Sequence, residues 1–413
     1  MRTASVMASL FGFAVAAVPA YAANVTTLGS FDGVNGITPL SSLIADADGT
    51  LYGTTLGFNQ NLPGSLFSLS TDGTLKKLPG PSGFFEGRLL QNASGTLFGT
   101  TADSVFSLSR AGTFTTLATF SNGQRPRGGL IADASGTFYG TTFRGGAFDE
   151  GTVFSLAPSG VSRSYSLTTL ANFNGANGAL PIGELVADAT GVLYGTTSSG
   201  GAFGQGTVFS IDRTGTLATL VDFNGANGSL PSGGLIVDAS GTLYGTTTGG
   251  GVSNAGTVFS LTSTGTFTTL ASFNGANGAN PLGSLIADSF GTLFGTTETG
   301  GTSALGTRTR GTVFSLSSAG TLTTVATFQS GNGGYSPRAG LLADAAGVLY
   351  GTTALGGTSG MGTIFSIKDS GFNRPVVAAV PEPDSWAMLI AGFGMIGGAA
   401  RRLRAKAAQG NPA

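Results

Sequence analysis

Seven times the chain repeats the phrase Leu/Phe-Tyr/Phe-Gly-Thr-Thr, centred on Tyr52, Phe98, Tyr139, Tyr194, Tyr244, Phe294 and Tyr350. A self-similar period of roughly 40–50 residues restricts a chain to propellers, solenoids and related arrays. Around each copy a longer unit recurs. In the fifth it opens Gly234-Leu235-Ile236-Val237-Asp238 and, after a short turn, continues Thr242-Leu243-Tyr244-Gly245-Thr246-Thr247. A Gly-rich gap leads to Gly256-Thr257-Val258-Phe259-Ser260-Leu261, a second turn, and Thr266-Phe267-Thr268-Thr269-Leu270-Ala271-Ser272-Phe273.

Each unit holds four strand-length stretches, here named a to d in chain order. Short turns ending in Gly join a to b and c to d, which marks two hairpins, with a longer loop between them. In strand c, Thr257, Phe259 and Leu261 share one face, with Val258 and Ser260 on the other. In strand d, Phe267, Ala271 and Phe273 oppose Leu270. Apolar groups on both faces require cover on both sides, which blades stacked around an axis provide. A single sandwich would need about 28 strands, more than ordinary sheets hold.

The ends of the repeat sharpen this reading. The last unit predicts strand a at Leu341–Asp344, b at Val348–Thr353 and c at Thr363–Ile367, but Asp369 to Pro375 has no strand-d pattern. That pattern stands instead at Val25-Thr26-Thr27-Leu28-Gly29-Ser30-Phe31. The expected fold is therefore all-β: a seven-bladed β-propeller of four-stranded antiparallel blades, closed by the N-terminal strand joining the last blade. A C-terminal hydrophobic helix follows it. Such closure removes exposed sheet edges.

Composition narrows the chemistry. With no histidine and no cysteine among 413 residues, the chain has no disulfides, no Cys/His zinc site and no imidazole base for a nucleophile. No cofactor motif is present, and the expected cofactor is none. Residues 23–380 carry 14 basic and 18 acidic side chains, a net charge of −4, which argues against a nucleic-acid partner.

Both ends read as address labels. Met1-Arg2, the apolar Val6–Val18 and the small residues Ala20 and Ala22 predict a signal peptide over 1–22, cut before Ala23. The propeller is expected over 23–375 and a linker over 376–385. An apolar transmembrane helix is expected over 386–400, and a basic cytoplasmic tail with Arg401, Arg402, Arg404 and Lys406 over 401–413. The helix is short for a span, but its basic flank follows the positive-inside rule.

The Asp before each a–b turn (Asp46, Asp133, Asp188, Asp238, Asp288, Asp344; Asn92 in the second unit) reads as an Asx turn rather than a catalytic or metal ligand. The aromatic of Tyr-Gly-Thr-Thr reads as packing, and its Gly as room for close approach between blades. The b–c loops and d–a links fall on one face of the ring and are rich in Asn, Gly and Ser, as in Asn224-Gly225-Ala226-Asn227-Gly228. Such amides suit turn geometry and equally suit a polar neutral ligand. Departures from the repeat mark candidates for special work. Arg88 and Glu184 replace the small residue that opens strand a and are expected near the channel mouth. Arg125, Arg127, Arg144, Asp149, Glu150, Glu298, Arg308, Arg310, Tyr335 and Arg338 lie in long loops. The candidate ligand face is Arg88, Glu184, Asp149 and Glu150; solvated loop charge is the competing account.

The unit Leu-x-x-Asp-x-x-Gly-x-Leu-Tyr-Gly-Thr-Thr, followed by a Gly-Gly gap and Gly-Thr-Val-Phe-Ser-Leu, resembles the GLoVer-type tandem repeat of secreted propellers. The stretch Val380-Pro381-Glu382-Pro383-Asp384-Ser385-Trp386-Ala387, its apolar run and Arg401-Arg402 closely resemble the PEP-CTERM sorting signal. This second resemblance implies export and processing by exosortase-type machinery, for which Pro381, Glu382, Pro383 and Trp386 would be substrate residues. It also implies an association with exopolysaccharide and biofilm, and a protein held transiently in the inner membrane before reaching the cell surface or medium.

The expected function is a non-catalytic adhesion, matrix or glycan-binding module of the cell envelope. Its partners would be the sorting machinery, exopolysaccharide or another glycan, and the membrane through the C-terminal helix. Two alternatives stand beside it: a propeller lyase or glycosidase using Glu184, Asp149 or Glu150 with Arg88, and a purely structural envelope protein.

Overall fold

The computed structural model describes residues 23–373, apart from 60–61, 82, 122–123, 161–163, 304–305, 307–308 and 330–332. The expected signal-peptide site at Ala20 and Ala22, the box at Pro381, Glu382 and Pro383, Trp386, the apolar helix, the basic tail and Arg308 lie outside the described residues. Among those described, every regular element is a strand, and no helix is long and apolar enough to cross a membrane.

The strands form seven antiparallel sheets, each in simple a-b-c-d order. Blade 5 is typical: Ile236–Val237, Leu243–Thr247, Thr257–Leu261 and Phe267–Ser272. Blade 4 carries one further segment, Ala179–Pro181, paired to Leu193–Ser199. In blade 7, Leu342–Ala343, Leu349–Thr353 and Thr363–Ile367 are completed by Val25–Ser30, with Val25 opposite Ile367 and Ser30 opposite Thr363. The N-terminal strand closes the ring.

Strand a is shorter than the sequence pattern predicts, two residues per blade. The Asx turn explains this. Asp238 Oδ1 accepts the N–H groups of Ser240 and Thr242, and the turn claims the end of the apolar run. Strand d differs too. In six blades the register slips by one residue, at Leu28, Leu117, Leu170, Leu220, Leu270 and Val325. These bulges add twist and turn the following aromatic inward.

That aromatic makes the ring. Phe31, Phe120, Phe173, Phe223, Phe273 and Phe328, just after strand d, each stand edge-on to the strand-c phenylalanine of the next blade. Strand d of blade 1 stops at Lys77, and Phe85 from the following link takes the same role against Phe106. The seven pairs have centroids 4.9–5.9 Å apart and interplanar angles of 61–88°, the edge-to-face geometry that ring quadrupoles favour. The core is thus seven wedges between blades. Val258 and Phe273 of blade 5, for example, cluster with Leu285, Leu293 and Phe314 of blade 6.

The glycine of Tyr-Gly-Thr-Thr serves its own blade rather than contact between blades. A Cβ on Gly245 would lie 2.6 Å from the ring of Phe259, its cross-strand partner. The two threonines divide their work. Thr247 Oγ1 meets Thr257 Oγ1 at 2.8 Å and accepts the Thr257 N–H, joining b to c. The preceding threonine reaches the next blade: Thr54 donates to the Gly87 carbonyl, and Thr352 donates across the closing seam to Pro39, both at 3.4 Å.

Candidate functional site

Antiparallel topology places the a–b and c–d turns on one face, the short-turn face, and the b–c loops and d–a links on the long-loop face. Strand a is innermost and begins at the long-loop face. The residues just before it, Pro-x-Gly-x in most units, therefore surround the axis there. They line a cavity of about 240 Å³ to which all seven blades contribute. Residues from equivalent positions of every blade can share one cavity only around the central axis.

The innermost position of this cavity is held by Ser42, Arg88, Gly129, Glu184, Gly234, Ser284 and Gly340. The small residues stitch neighbouring blades. Ser284 Oγ accepts the Gly234 N–H at 2.9 Å, and Ser42 Oγ accepts that of Gly340 at 3.0 Å. The two large residues meet over the gap left by Gly129. Arg88 Nη1 lies 3.7 Å from Glu184 Oε2, and a Cβ on Gly129 would lie 2.9 Å from Glu184 Oε1. Burial pushes the Glu184 carboxyl above the usual carboxylate range, and the charge of Arg88 offsets part of that rise. Its side chain is 21% exposed and that of Arg88 44%, so the pair lines the cavity while still touching solvent.

A second tier of charge stands one step outward. Arg127 Nε approaches Glu86 Oε2 to 3.1 Å without hydrogen-bond alignment. Its guanidinium lies 4.0 Å from the centroid of Phe143. Burial raises the Glu86 carboxyl, and Arg127 and then Arg125 oppose the rise. Arg338 grips Glu298 of the preceding blade, donating from Nε to Oε1 at 2.8 Å and from Nη2 to the same oxygen. Arg310 lies over Tyr335 at 4.7 Å. Glu86 is absent from the sequence-based candidates. Its position is occupied by Leu40, Ser232 and Leu282 in other blades, so it breaks no pattern.

Asp149 and Glu150 stand apart from the cavity. Asp149 closes its own b–c loop, accepting the Gly145 N–H at 2.9 Å and pairing with Arg144 at 3.2 Å. The backbone carbonyl of Glu150 accepts the Leu180 N–H. Among the described residues, no group of three or more His, Cys, Asp or Glu converges as a metal site.

The b–c loops have a common frame. Gly145-Gly146, Gly200-Gly201 and Gly250-Gly251 all take left-handed φ, and the base of each loop is bridged, as by Gly206 N–H to the Gly200 carbonyl at 3.0 Å. In three consecutive loops these frames raise Phe148 (60% exposed) and Phe203 (59%) at one position and, one position earlier, Val252 (94%). The following d–a links are firm as well. Thr38, Leu180, Leu230, Asn280 and Ser336, each before a proline, sit at φ of 53–58°. Their N–H groups donate to the b–c loop of the preceding blade, as Leu230 does to Gln205, which holds the strained backbone in place.

Comparison with known proteins adds family and fold. The Gloeobacter/Verrucomicrobia repeat matches residues 85–309, more than half of the chain. The PEP-CTERM protein-sorting motif matches 379–405. None of the curated proteins compared with the chain matches it significantly. Among solved structures, a streptogramin B lyase aligns with TM-score 0.58 at 15% identity, over 83% of this chain and 97% of its own. Virginiamycin B lyase from Staphylococcus aureus aligns with TM-score 0.58 at 12% identity, over 84% and 98%. A mitotic checkpoint complex structure aligns with TM-score 0.53 at 13% identity, over 89% and 99%. At these identities the likeness is one of fold, and folds of this kind host unrelated functions.

Proposed function

The chain belongs to the Gloeobacter/Verrucomicrobia repeat family and ends in the motif by which exosortase-type machinery sorts exported proteins to the cell envelope, and from this premise we propose that its ring is a non-catalytic glycan-binding module of the envelope. The binding surface is the long-loop face. The observation that carries this reading is the presentation of Phe148 and Phe203 at one loop position of adjacent blades, with the amide-rich link 172–178 bonded to both loops, through Asn172 Oδ1 to the Ala147 N–H and the Gly175 carbonyl to the Gly201 N–H. Rigidly framed rings offer the flat apolar surface that sugar rings stack on, and neighbouring amides supply hydrogen bonds to hydroxyls. Arg88 and Glu184 add a polar pair at the axis.

The catalytic alternative has less support. A glycosidase needs two carboxyl groups free to act as acid and as nucleophile or base. Here Glu184 is engaged by Arg88, Glu86 by Arg127, Glu298 by Arg338 and Asp149 by Arg144. The test is a glycan array and polysaccharide pull-down with residues 23–380. Retention of an exopolysaccharide, lost in Phe148→Ala/Phe203→Ala and weakened in Arg88→Ala and Glu184→Ala, supports the proposal. Turnover of a polymer with no retention overturns it in favour of the enzyme.

A further inference from the structure

Blade 7 takes its outer strand from the N-terminus, so the chain leaving Ile367 is free to go elsewhere, and its course is well defined. It turns at Asp369 and Gly371, both with left-handed φ, and runs beneath blade 7 to blade 6. Ser370 Oγ donates to the Gly347 carbonyl in the a–b turn of blade 7. Phe372, 7% exposed, packs on Phe294 with centroids 5.0 Å apart. Asn373 donates its N–H to Asp288 Oδ2 at 3.4 Å and accepts from Ser289 Oγ at 2.8 Å.

Blade 6 is adapted to receive this segment. In five blades the tyrosine hydroxyl donates to the second carboxylate oxygen of the turn aspartate, as Tyr244 does to Asp238. Blade 6 has Phe294 in place of the tyrosine, so Asp288 Oδ2 is left for Asn373 and the bare ring for Phe372. The N-terminus emerges nearby. Ala23 N–H donates to the Val325 carbonyl of blade 6, and Ala23 packs in the same cluster as Phe372.

Both ends of the ring therefore leave from the short-turn face at blades 6 and 7. Eight Cα steps separate Asn373 from Pro381 and thirteen separate it from Trp386, where the apolar run begins, reaches of at most about 29 and about 47 Å. A path around the rim to the other face would use about 17 Å of either reach on the depth of a five-residue strand alone. We propose that the short-turn face beneath blades 6 and 7 is the surface that meets the lipid bilayer and its sorting enzyme. The tethered protein then holds its long-loop face outward. The proposal rests on residues 386–400 entering the membrane.

The absence of native cysteine makes the test direct. Ala346→Cys, in the a–b turn of blade 7, and Val252→Cys, at a b–c loop tip, are each labelled with a fluorescent donor in the full chain. The labelled proteins are reconstituted in phosphatidylethanolamine/phosphatidylglycerol vesicles containing an acceptor lipid. The expected result is flotation with the vesicles and at least twofold greater energy transfer from position 346 than from 252. Adding Phe372→Ser, which releases the exit segment, is expected to narrow that difference. Failure to float overturns the membrane reading and the proposal with it. Flotation with equal or reversed transfer overturns the orientation alone.

Discussion

The ring of Phe31 stands edge-on to that of Phe67 with 4.9 Å between centroids, so the last blade grips the first through the contact used at every other blade boundary. Both rings are fully buried. Phe31→Ala and Phe67→Ala should each cost about 3–5 kcal/mol, the usual range for a buried aromatic. Phe31→Leu should cost distinctly less. Urea denaturation checks the ranking, and equal losses for Ala and Leu would mean that the aromatic contact contributes little.

Gly245 is held to its identity by Phe259 and Leu235, whose side chains would lie 2.6 and 2.7 Å from an added Cβ. Gly245→Ala forces its new methyl to within 2.6 Å of the ring and should cost about 1–3 kcal/mol as an overpacked core. Phe259→Leu also destabilises, but the double variant should lose less than the sum of the two. Additivity would show that the contact with Phe259 is not the cause and leave Leu235 as the group that excludes the methyl.

Alkaline titration should expose the tyrosine–aspartate pairs. Burial, with the hydrogen bond to Asp and its charge, pushes Tyr139, Tyr194, Tyr244 and Tyr350 up to about 12. On the aspartate side, burial pushes Asp188 and Asp238 up, but the hydrogen bonds they accept outweigh it and leave both lowered. The folded chain thus keeps tyrosine protons that the unfolded chain loses near pH 10. This contribution is intact below about pH 10 and is lost as the pH rises toward 12. Absorbance at the tyrosinate band should show these four groups titrating late, together with Tyr52, which burial and Asp46 also raise, and Tyr165, raised by burial, with stability falling over the same window.

Arg88→Ala strands Glu184 at the axis without its counter-charge. Breaking a fully buried pair costs roughly 3–5 kcal/mol, and the partial exposure of both side chains reduces this to about 1–2 kcal/mol at neutral pH. The loss should shrink at acid pH as Glu184 takes up a proton, and Arg88→Ala/Glu184→Gln should recover most of it. A pH-independent loss would indicate packing rather than charge.

The repeat made the blade count, the Asx turns and the closing strand readable, because each rests on residues spaced within one unit. What stayed hidden depends on placing one blade against another. Leu270 looks like an ordinary alternating residue, and only pairing with strand c reveals the bulge. Thr246 and Thr247 are adjacent yet serve different blades. Arg88 and Glu184 stand out singly as departures from the repeat, but their meeting across Gly129 requires the rotation between blades 2 and 4. Glu86 was unreadable because its position follows no rule.

Ring closure by the first strand is tested most directly with cross-strand cysteines in this cysteine-free chain. Thr26 faces Ser366 and Val25 faces Ile367. Successive antiparallel pairs alternate between wide and close spacing, so one of the two should suit a disulfide. The account predicts that Thr26→Cys/Ser366→Cys or Val25→Cys/Ile367→Cys oxidises completely within one molecule and raises the unfolding midpoint. Free thiols in both folded double variants, or disulfides formed only between molecules, would contradict it.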